Sequence, residues 1–274
     1  MQLQFTKMHG AGNDFMLLTW PTGRRLPEPA VIRRWADRRR GIGFDQLLVL
    51  AEDHDPHVDG EYRIFNADGG EVEQCGNGVR CIAAFLAGAG ERRTLKLASP
   101  SGLVEARLLG GGEVSVNLGE PSFVPDPAFL VGESEADRYR LAVASSDVEF
   151  GAVSLGNPHA VITVDSVDSA PVGIIGEAFQ DQPLFPNGVN VGFMEVLERT
   201  RIRLRVFERG VGETLACGTG AAAAVLVGQR WGRLDASEHV ELPGGTLGVD
   251  WQGPGTPVWL SGLATSVYEG QLTV

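Results

Sequence analysis

Lysine is almost absent from this chain. Lys7 and Lys96 are the only two among 23 basic residues, and 35 acidic residues leave a formal net charge of −12. That balance disfavours a general nucleic-acid binder, which needs a basic face. The one basic cluster, Arg33 to Arg40, reads as the solvated end of a helix rather than a phosphate grip. Neither lysine lies in a phosphate-binding context that would support a pyridoxal phosphate Schiff base, and no glycine-rich loop has the spacing and following lysine of a phosphate loop. No cofactor is expected. Cysteine is scarce as well: three residues, an odd number, make a poor disulfide framework. No Cys-x-x-Cys or His-x-x-x-His spacing offers a metal site. No apolar run approaches the ~18 residues of a membrane span, and a signal peptide's charged-then-apolar layout is missing. The expected setting is therefore the cytoplasm, where thiols stay reduced.

What the chain has in abundance is glycine, 37 residues, which points to tight turns and short strands. Apolar residues at 43% and charged residues at 21% are the composition of a packed core, not of disorder. The 274 residues suffice for two domains, and a duplication supports that number. Arg63 to Gly78 and Arg205 to Gly220 align at a constant offset with seven identities, among them Cys75/Cys217, Gly76/Gly218 and Gly78/Gly220. Each copy reads as a strand, a glycine-bearing turn, then Cys-Gly-x-Gly opening an apolar helix. A thiol so placed sits beside unpaired backbone N–H groups at the positive end of a helix dipole, which favours thiolate.

Around these copies, strands are expected at Leu3–Lys7 and Phe15–Thr19 with a polar turn Met8 to Asp14 between them. A surface helix follows at Pro27–Arg40, then strands at Leu47–Ala51 and Tyr62–Asn66 and a buried helix from Cys75 to about Ala89. Cys81, about 9 Å further along that helix than Cys75, is too far for a disulfide and is taken as core packing. Leu95–Ala98, Leu103–Leu109 and Val114–Leu118 complete the first half as strands. The second half repeats the plan, with strands at 141–144, 148–155, 160–164, 189–195 and 201–207 and helices at 173–180 and 221–229. Strands at 240–242, 246–251, 258–261 and 264–268 end it. Residues 52–60 and 125–140 read as exposed excursions. The expected fold is α+β: two pseudo-symmetric domains, each a largely antiparallel sheet or barrel around a central helix. Residues 1–118, completed by a C-terminal strand at 265–274, form the first and 119–264 the second.

The offset between halves pairs more than thiols. An offset of 144 relates Asn13 to Asn157 and Gln46 to Asn190, and the thiols' own offset of 142 relates Asn66 to Glu208. Amides and thiols in pseudo-symmetric pairs suggest one small ligand gripped where the two related halves meet. Equivalent groups on opposite faces of one carbon are what stereoinversion needs: one base removes the α-proton and an acid opposite delivers another. The N–H groups of Gly76, Asn77, Gly218 and Thr219 could hold an α-carboxylate and the charge that develops there. His159, and Glu208 with Arg209 at the end of the strand before Cys217, are further candidates.

At these residues the chain closely resembles the diaminopimelate epimerase family. The motifs that carry the likeness run in order: Met8-His-Gly-Ala-Gly-Asn-Asp-Phe15, Gly41-Ile-Gly-Phe-Asp-Gln46, Arg63-Ile-Phe-Asn-Ala-Asp68 and Gln74-Cys-Gly-Asn-Gly-Val-Arg-Cys81. Gly156-Asn-Pro-His159, Asn190-Val-Gly-Phe193, Glu208-Arg209 and Ala216-Cys-Gly-Thr-Gly220 follow. The resemblance implies a cofactor-independent epimerase of lysine and cell-wall precursor synthesis, a homodimer, with Cys75 and Cys217 as the two acid/base thiols. It implies substrate binding by Asn13, Gln46, Asn66, Asn157, Asn190, Glu208 and Arg209 with the four helix-start amides, and tuning of the thiols by His159 and Glu208. Two other readings stand beside it: a racemase of another amino acid, such as a proline racemase-like protein, and a dithiol redox protein cycling Cys75 and Cys217 through a disulfide.

Overall fold

The first hairpin already uses more of the chain as strand than alternation alone indicates. β1 (Gln2–Gly10) and β2 (Asn13–Trp20) extend almost through the motif expected as a loop, leaving Ala11 and Gly12 as the turn. Both turn residues have positive φ, 51° and 81°, the handedness that matches strand twist in a two-residue hairpin. The computed structural model describes residues 2–72, 75–88, 93–143 and 146–273. Glu73 and Gln74 before Cys75, Ala89 at the expected helix end, Ala144 of the strand expected at 141–144, and Val274 of the C-terminal strand lie outside the described residues.

The chain divides into two compact units, residues 1–117 with 261–274, and residues 118–260. In the first unit the hairpin is followed by α1 (Pro29–Ala36), β3 (Gln46–Ala51), β4 (Gly60–Asn66) and the short β5 (Glu71–Val72). Then come α2 (Gly76–Ala87), β6 (Thr94–Ser99), β7 (Gly102–Gly110) and β8 (Glu113–Asn117). The second unit holds β9 (Tyr139–Val143), β10 (Ser146–Ser154), β11 (Pro158–Thr163), α3 (Val172–Gln180), β12 (Asn190–Glu198) and β13 (Arg201–Glu208). It continues with β14 (Gly212–Thr214), α4 (Gly218–Arg230), β15 (Ser237–Leu242) and β16 (Gly245–Asp250). β17 (Trp259–Leu263) carries the chain back to the first unit, where β18 (Thr265–Thr273) pairs antiparallel with β1.

The fold is α+β, two sheet-rich units with a buried helix in each. Pairing is mostly antiparallel, but each unit contains two parallel pairs in matching places: β2/β3 and β4/β6 in the first, β11/β12 and β13/β15 in the second. α2 packs on β1, β2, β3, β7 and β8, and α4 on β10, β11, β12, β13 and β16. α4 is buried from Ala221 to Val227 because four alanines let strands approach closely. α2 departs from the uniformly apolar helix expected: Phe85 is 38% exposed, while Arg80 is fully buried.

Two further expectations change. The surface helix is shorter than Pro27–Arg40: beyond Ala36, Asp37 accepts from the N–H groups of Arg39 and Arg40, and the exposed Arg38 side chain donates to Asp14 and Asp45. Residues 125–140 are not merely an excursion, since Phe129, Leu130 and Tyr139 are buried in the second unit's aromatic core. There Phe150 lies edge-on to Phe179 at 5.4 Å and stacked on Tyr139 at 5.6 Å. Three apolar residues scattered among acidic ones carry no periodicity, so burial here is invisible in sequence.

Gly151 of β10 crosses α4 with no room for a side chain: an added Cβ would stand 2.4 Å from Val227 Cγ1 and 3.1 Å from Trp231 Cζ2. Val227 is branched and buried, so it cannot swing aside. Gly151→Ala should therefore destabilise the protein by about 1–3 kcal/mol, the usual cost of overpacking. A urea denaturation midpoint equal to the parent's would contradict this close approach.

Candidate active site

In the first unit the site begins with the strand ladder. Phe15 of β2 pairs with Gln46 of β3, which pairs with Asn66 of β4. Asn13, Gln46 and Asn66 thus stand at the same end of three adjoining strands. Gln46 Nε2 donates to Asn66 Oδ1 at 2.9 Å, while Gln46 Oε1 is buried with no hydrogen-bond partner among the described residues. Asn13 Nδ2 donates to Asp45 Oδ2 at 3.1 Å, which aims Asn13 Oδ1 at the Cys75 thiol, 3.7 Å away. Asp45 is itself held by Arg38, and Arg38 also forks onto Asp14. Burial works against ionisation of Asp14, but Arg38 and Lys7 together hold its carboxyl well below the usual carboxylate range. Lys7 also donates to Gly43 O at 2.5 Å, so one ionic cluster ties both approaches to Asn13.

Cys75 is the N-cap residue of α2, extended at φ −146° and partly exposed, and its side chain does not cap the helix. Gly76 and Asn77 follow as the first helical residues, where N–H groups have no intrahelical acceptor. Asn77 is buried, and its Oδ1 accepts from Arg80 Nη2 at 2.8 Å.

The second unit builds the equivalent corner differently. Cys217 is buried, extended at φ −119°, and its sulfur accepts from Gly220 N–H at 3.3 Å. Thr219 Oγ1 lies 3.7 Å from the same sulfur and accepts from Asn157 Nδ2 at 3.3 Å. With one lone pair on Asn157, the Thr219 hydroxyl can still either give its proton to Cys217 thiolate or accept that of the thiol. Asn157 Oδ1 in turn meets His159 Nε2 at 3.0 Å, so a neutral imidazole must carry its proton on Nε2. A continuous chain, His159–Asn157–Thr219–Cys217, results. His159 pairs with Asn190 across the parallel β11/β12 ladder. Both ends of the Asn190 amide are engaged by backbone: Nδ2 donates to Pro158 O at 3.1 Å and Oδ1 accepts from Arg209 N at 3.0 Å. The Arg209 guanidinium reaches Asn187 O at 3.2 Å, and Glu208 accepts from the Thr214 hydroxyl.

Of the residues singled out in sequence, hydrogen bonds bring Asn13 to Cys75, and Asn157 with His159 behind it to Thr219 beside Cys217, whereas Gln46 bonds Asn66, and Glu208 and Arg209 bond Thr214 and Asn187. Asp45, Arg38, Thr214 and Arg80 escaped that reading. Asp45 sits one residue before Gln46 in its motif, and Arg80 is a lone charge in an apolar helix. Those were the available signals. Thr214 and Arg38 carried none, since only the folded turns bring them to Glu208 and Asp14.

His159 is 2% exposed, and burial followed by the nearby Arg209 charge pushes its pKa down to about 3. Its unfolded value is about 6.5. Protonation therefore favours the unfolded chain below about 6.5, and His159 costs stability progressively as pH falls from there toward 3. NMR titration of labelled histidines should find His159 neutral from pH 8 to pH 5. A His159 midpoint inside that interval would overturn the neutral relay.

A family model described as Diaminopimelate epimerase matches residues 5–124 and 151–267. A diaminopimelate epimerase of Ectopseudomonas mendocina (strain ymp) is 48% identical over 274 residues, covering 99% of both chains. One of Stutzerimonas stutzeri (strain A1501) is 47% identical with the same coverage. Among solved structures, a hydroxyproline epimerase from Agrobacterium vitis with bound trans-4-OH-L-proline superposes with a TM-score of 0.68 at 17% identity, covering 99% of this chain and 92% of that one. A Bacillus anthracis phenazine biosynthesis protein of the PhzF family gives 0.70 at 17% identity over 100% of both. At that identity the likeness speaks for fold alone, whereas the sequence matches over nearly the whole length decide the family. The chain belongs to the diaminopimelate epimerase family.

Proposed function

We propose that this chain interconverts LL- and meso-diaminopimelate, without a cofactor, by proton transfer between two thiols and one α-carbon. The reading serves lysine and cell-wall precursor synthesis, and the family match supports the substrate class. The observation that carries the mechanism is the repeated corner: Cys75 and Cys217, each the N-cap of a buried helix, each within reach of an asparagine side chain or its relay.

In one direction a thiolate removes the α-proton and becomes a thiol, while the other thiol gives its proton to the opposite face and becomes the thiolate. The thiols exchange roles for the reverse reaction. An amino-acid α-proton is far less acidic than a thiol, so the carbanion needs stabilisation as it forms. N–H groups of Gly76, Asn77, Gly218 and Thr219 would bind the α-carboxylate, with helix dipoles adding to them. A site closed to water strengthens each of these bonds. Gln46 Oε1, buried and without an acceptor's usual partner, suits a substrate ammonium, with Asn13, Asn66, Asn157 and Asn190 as the further amides. Glu208, held by Thr214, tunes the second half together with neutral His159.

A homodimer and a cytoplasmic setting belong to the same proposal. Val267 and Tyr268, exposed on β18, give a second copy apolar surface to cover. No helix among the described residues is long and apolar enough to cross a membrane.

Two-thiol chemistry leaves an isotopic signature. In deuterated solvent the donor thiol is already exchanged, so early product should carry deuterium at the inverted carbon while recovered substrate keeps hydrogen. Cys75→Ala and Cys217→Ala should each abolish inversion. Mass spectrometry of both isomers at low conversion, from each isomer in turn, checks this. Equal deuterium in substrate and product from the first time point would sink the assignment.

Arg209 offers a planar fork for the distal carboxylate, which lysine cannot reproduce. Arg209→Lys should weaken substrate binding by about 1.5–3 kcal/mol, the range for a charged hydrogen bond. Steady-state kinetics with an unchanged KM and kcat would place Arg209 outside the site.

A further inference from the structure

Among the described residues Arg80 is the largest fully buried side chain. It lies on α2, in the turn after Asn77, in a helix whose other buried side chains are apolar apart from Asn77. Long helical side chains lean back toward the N-terminus, and that of Arg80 does so, its Nη2 reaching Asn77 Oδ1 at 2.8 Å. The guanidinium comes up against the backbone of Gly10, where an added Cβ would stand 3.3 Å from Nη2. Nε and Nη1 are buried with no hydrogen-bond partner among the described residues, and no carboxylate there pairs with the side chain. A guanidinium stays protonated in proteins, so this is a buried cation with no counter-charge bonded to it among the described residues. Such an arrangement costs several kcal/mol unless an anion balances it.

The candidates for that anion are few. On the strands packed against α2, Lys7 and Asp14 bond each other, and so do Glu105 and Arg107. His9 of β1 and Glu113 of β8 are partly exposed. Tyr62 of β4, which also feels Cys75, is pushed up to about 12 by burial and stays neutral. The charges that would stabilise the guanidinium are those of Cys81 and Cys75 on its own helix. Burial pushes the Cys81 thiol up to about 12 despite Arg80, so it too stays protonated. Among the described residues that leaves Cys75, which is partly exposed and stands at the helix start.

The two corners differ in a way that gives this charge a purpose. Cys217 accepts a hydrogen bond from Gly220 N–H, which favours thiolate, and has beside it the Thr219 hydroxyl, which can donate to that thiolate. Cys75 meets the carbonyl oxygen of Asn13, which favours the thiol. The position that the Cys75/Cys217 offset pairs with Arg80 is Ala222, fully buried and uncharged. Two-thiol inversion nonetheless requires each sulfur to serve as base in one direction.

We propose that Arg80 is a positioning residue of this half-site: its buried guanidinium fixes the Asn77 amide at the helix start and supplies the positive charge that lets Cys75 take its turn as thiolate. The inference rests on the two-thiol reading above. In electrostatic terms Arg80 gives Cys75 what Gly220 N–H and the Thr219 hydroxyl give Cys217. Its attraction for the ionised sulfur lowers the pH at which Cys75 ionises.

The test is alkylation of each cysteine by iodoacetamide as a function of pH, resolved by peptide mass spectrometry. In the parent protein Cys75 should ionise below the ordinary thiol value of about 8.5. Arg80→Met should raise the Cys75 midpoint by about one pH unit or more and leave that of Cys217 in place, and Arg80→Lys should restore most of the shift. A parent midpoint at or above about 8.5 for Cys75 overturns the proposal without any variant, should Arg80→Met fail to fold. In a folded Arg80→Met protein, a Cys75 midpoint that stays put, or midpoints for both cysteines that move together, overturns it as well. Loss of the two-thiol reading would show separately, in the isotope pattern of the parent enzyme, which Arg80 does not determine.

Discussion

Everything in this chain depends on presenting a sulfur atom at the residue that caps the start of a helix that is itself buried. A helix start carries N–H groups with no internal acceptor, and burying them demands something negative or polar nearby. In both units that need is met by the same local device: a strand, a short turn and a cysteine in extended conformation immediately before Gly-x-Gly. The glycines are part of the device. At Gly220 an added Cβ would stand 3.2 Å from Cys217 Sγ, so a side chain would crowd the sulfur that this residue's own N–H must reach.

Around this shared device the two halves use different chemistry. In the second unit a neutral histidine, an asparagine and a threonine form a hydrogen-bond chain to Cys217. In the first, an ionic cluster of Lys7, Asp14, Arg38 and Asp45 sets the Asn13 amide that faces Cys75, and Arg80 lies buried behind it. Duplication gave both halves the same backbone frame, with matching parallel and antiparallel pairings. Nothing requires the side chains supporting each frame to stay alike, because in the proposed mechanism the demand is only that each sulfur be able to hold and lose a proton.

The supporting shell explains why several polar groups are buried at all. Asn190 is 5% exposed and spends both ends of its amide on backbone, joining β11 to the residue after β13. Such a group holds the strands in register, so its neighbours His159 and Arg209 stand where they do because Asn190 ties their backbones together. Asp45 plays the comparable part for Asn13.

The sequence by itself determined the duplicated frame, the α+β character and the family, and it singled out the thiols and amides that the proposed mechanism uses. These follow from local signals: an internal repeat at constant offset, apolar runs after Cys-Gly-x-Gly, and turn residues at strand ends. Strand limits were less legible, since Met8 to Gly10 look like loop yet extend β1 through a two-residue turn. Burial in the 125–140 segment was not legible either, because Phe129, Leu130 and Tyr139 find the core only once the chain is folded. Tertiary structure alone decided which groups meet each sulfur, the bonding of Arg38 to Asp14 and Asp45, and the burial of Arg80. Those outcomes depend on which distant side chains meet, and residue order fixes that only through the packing of the whole unit.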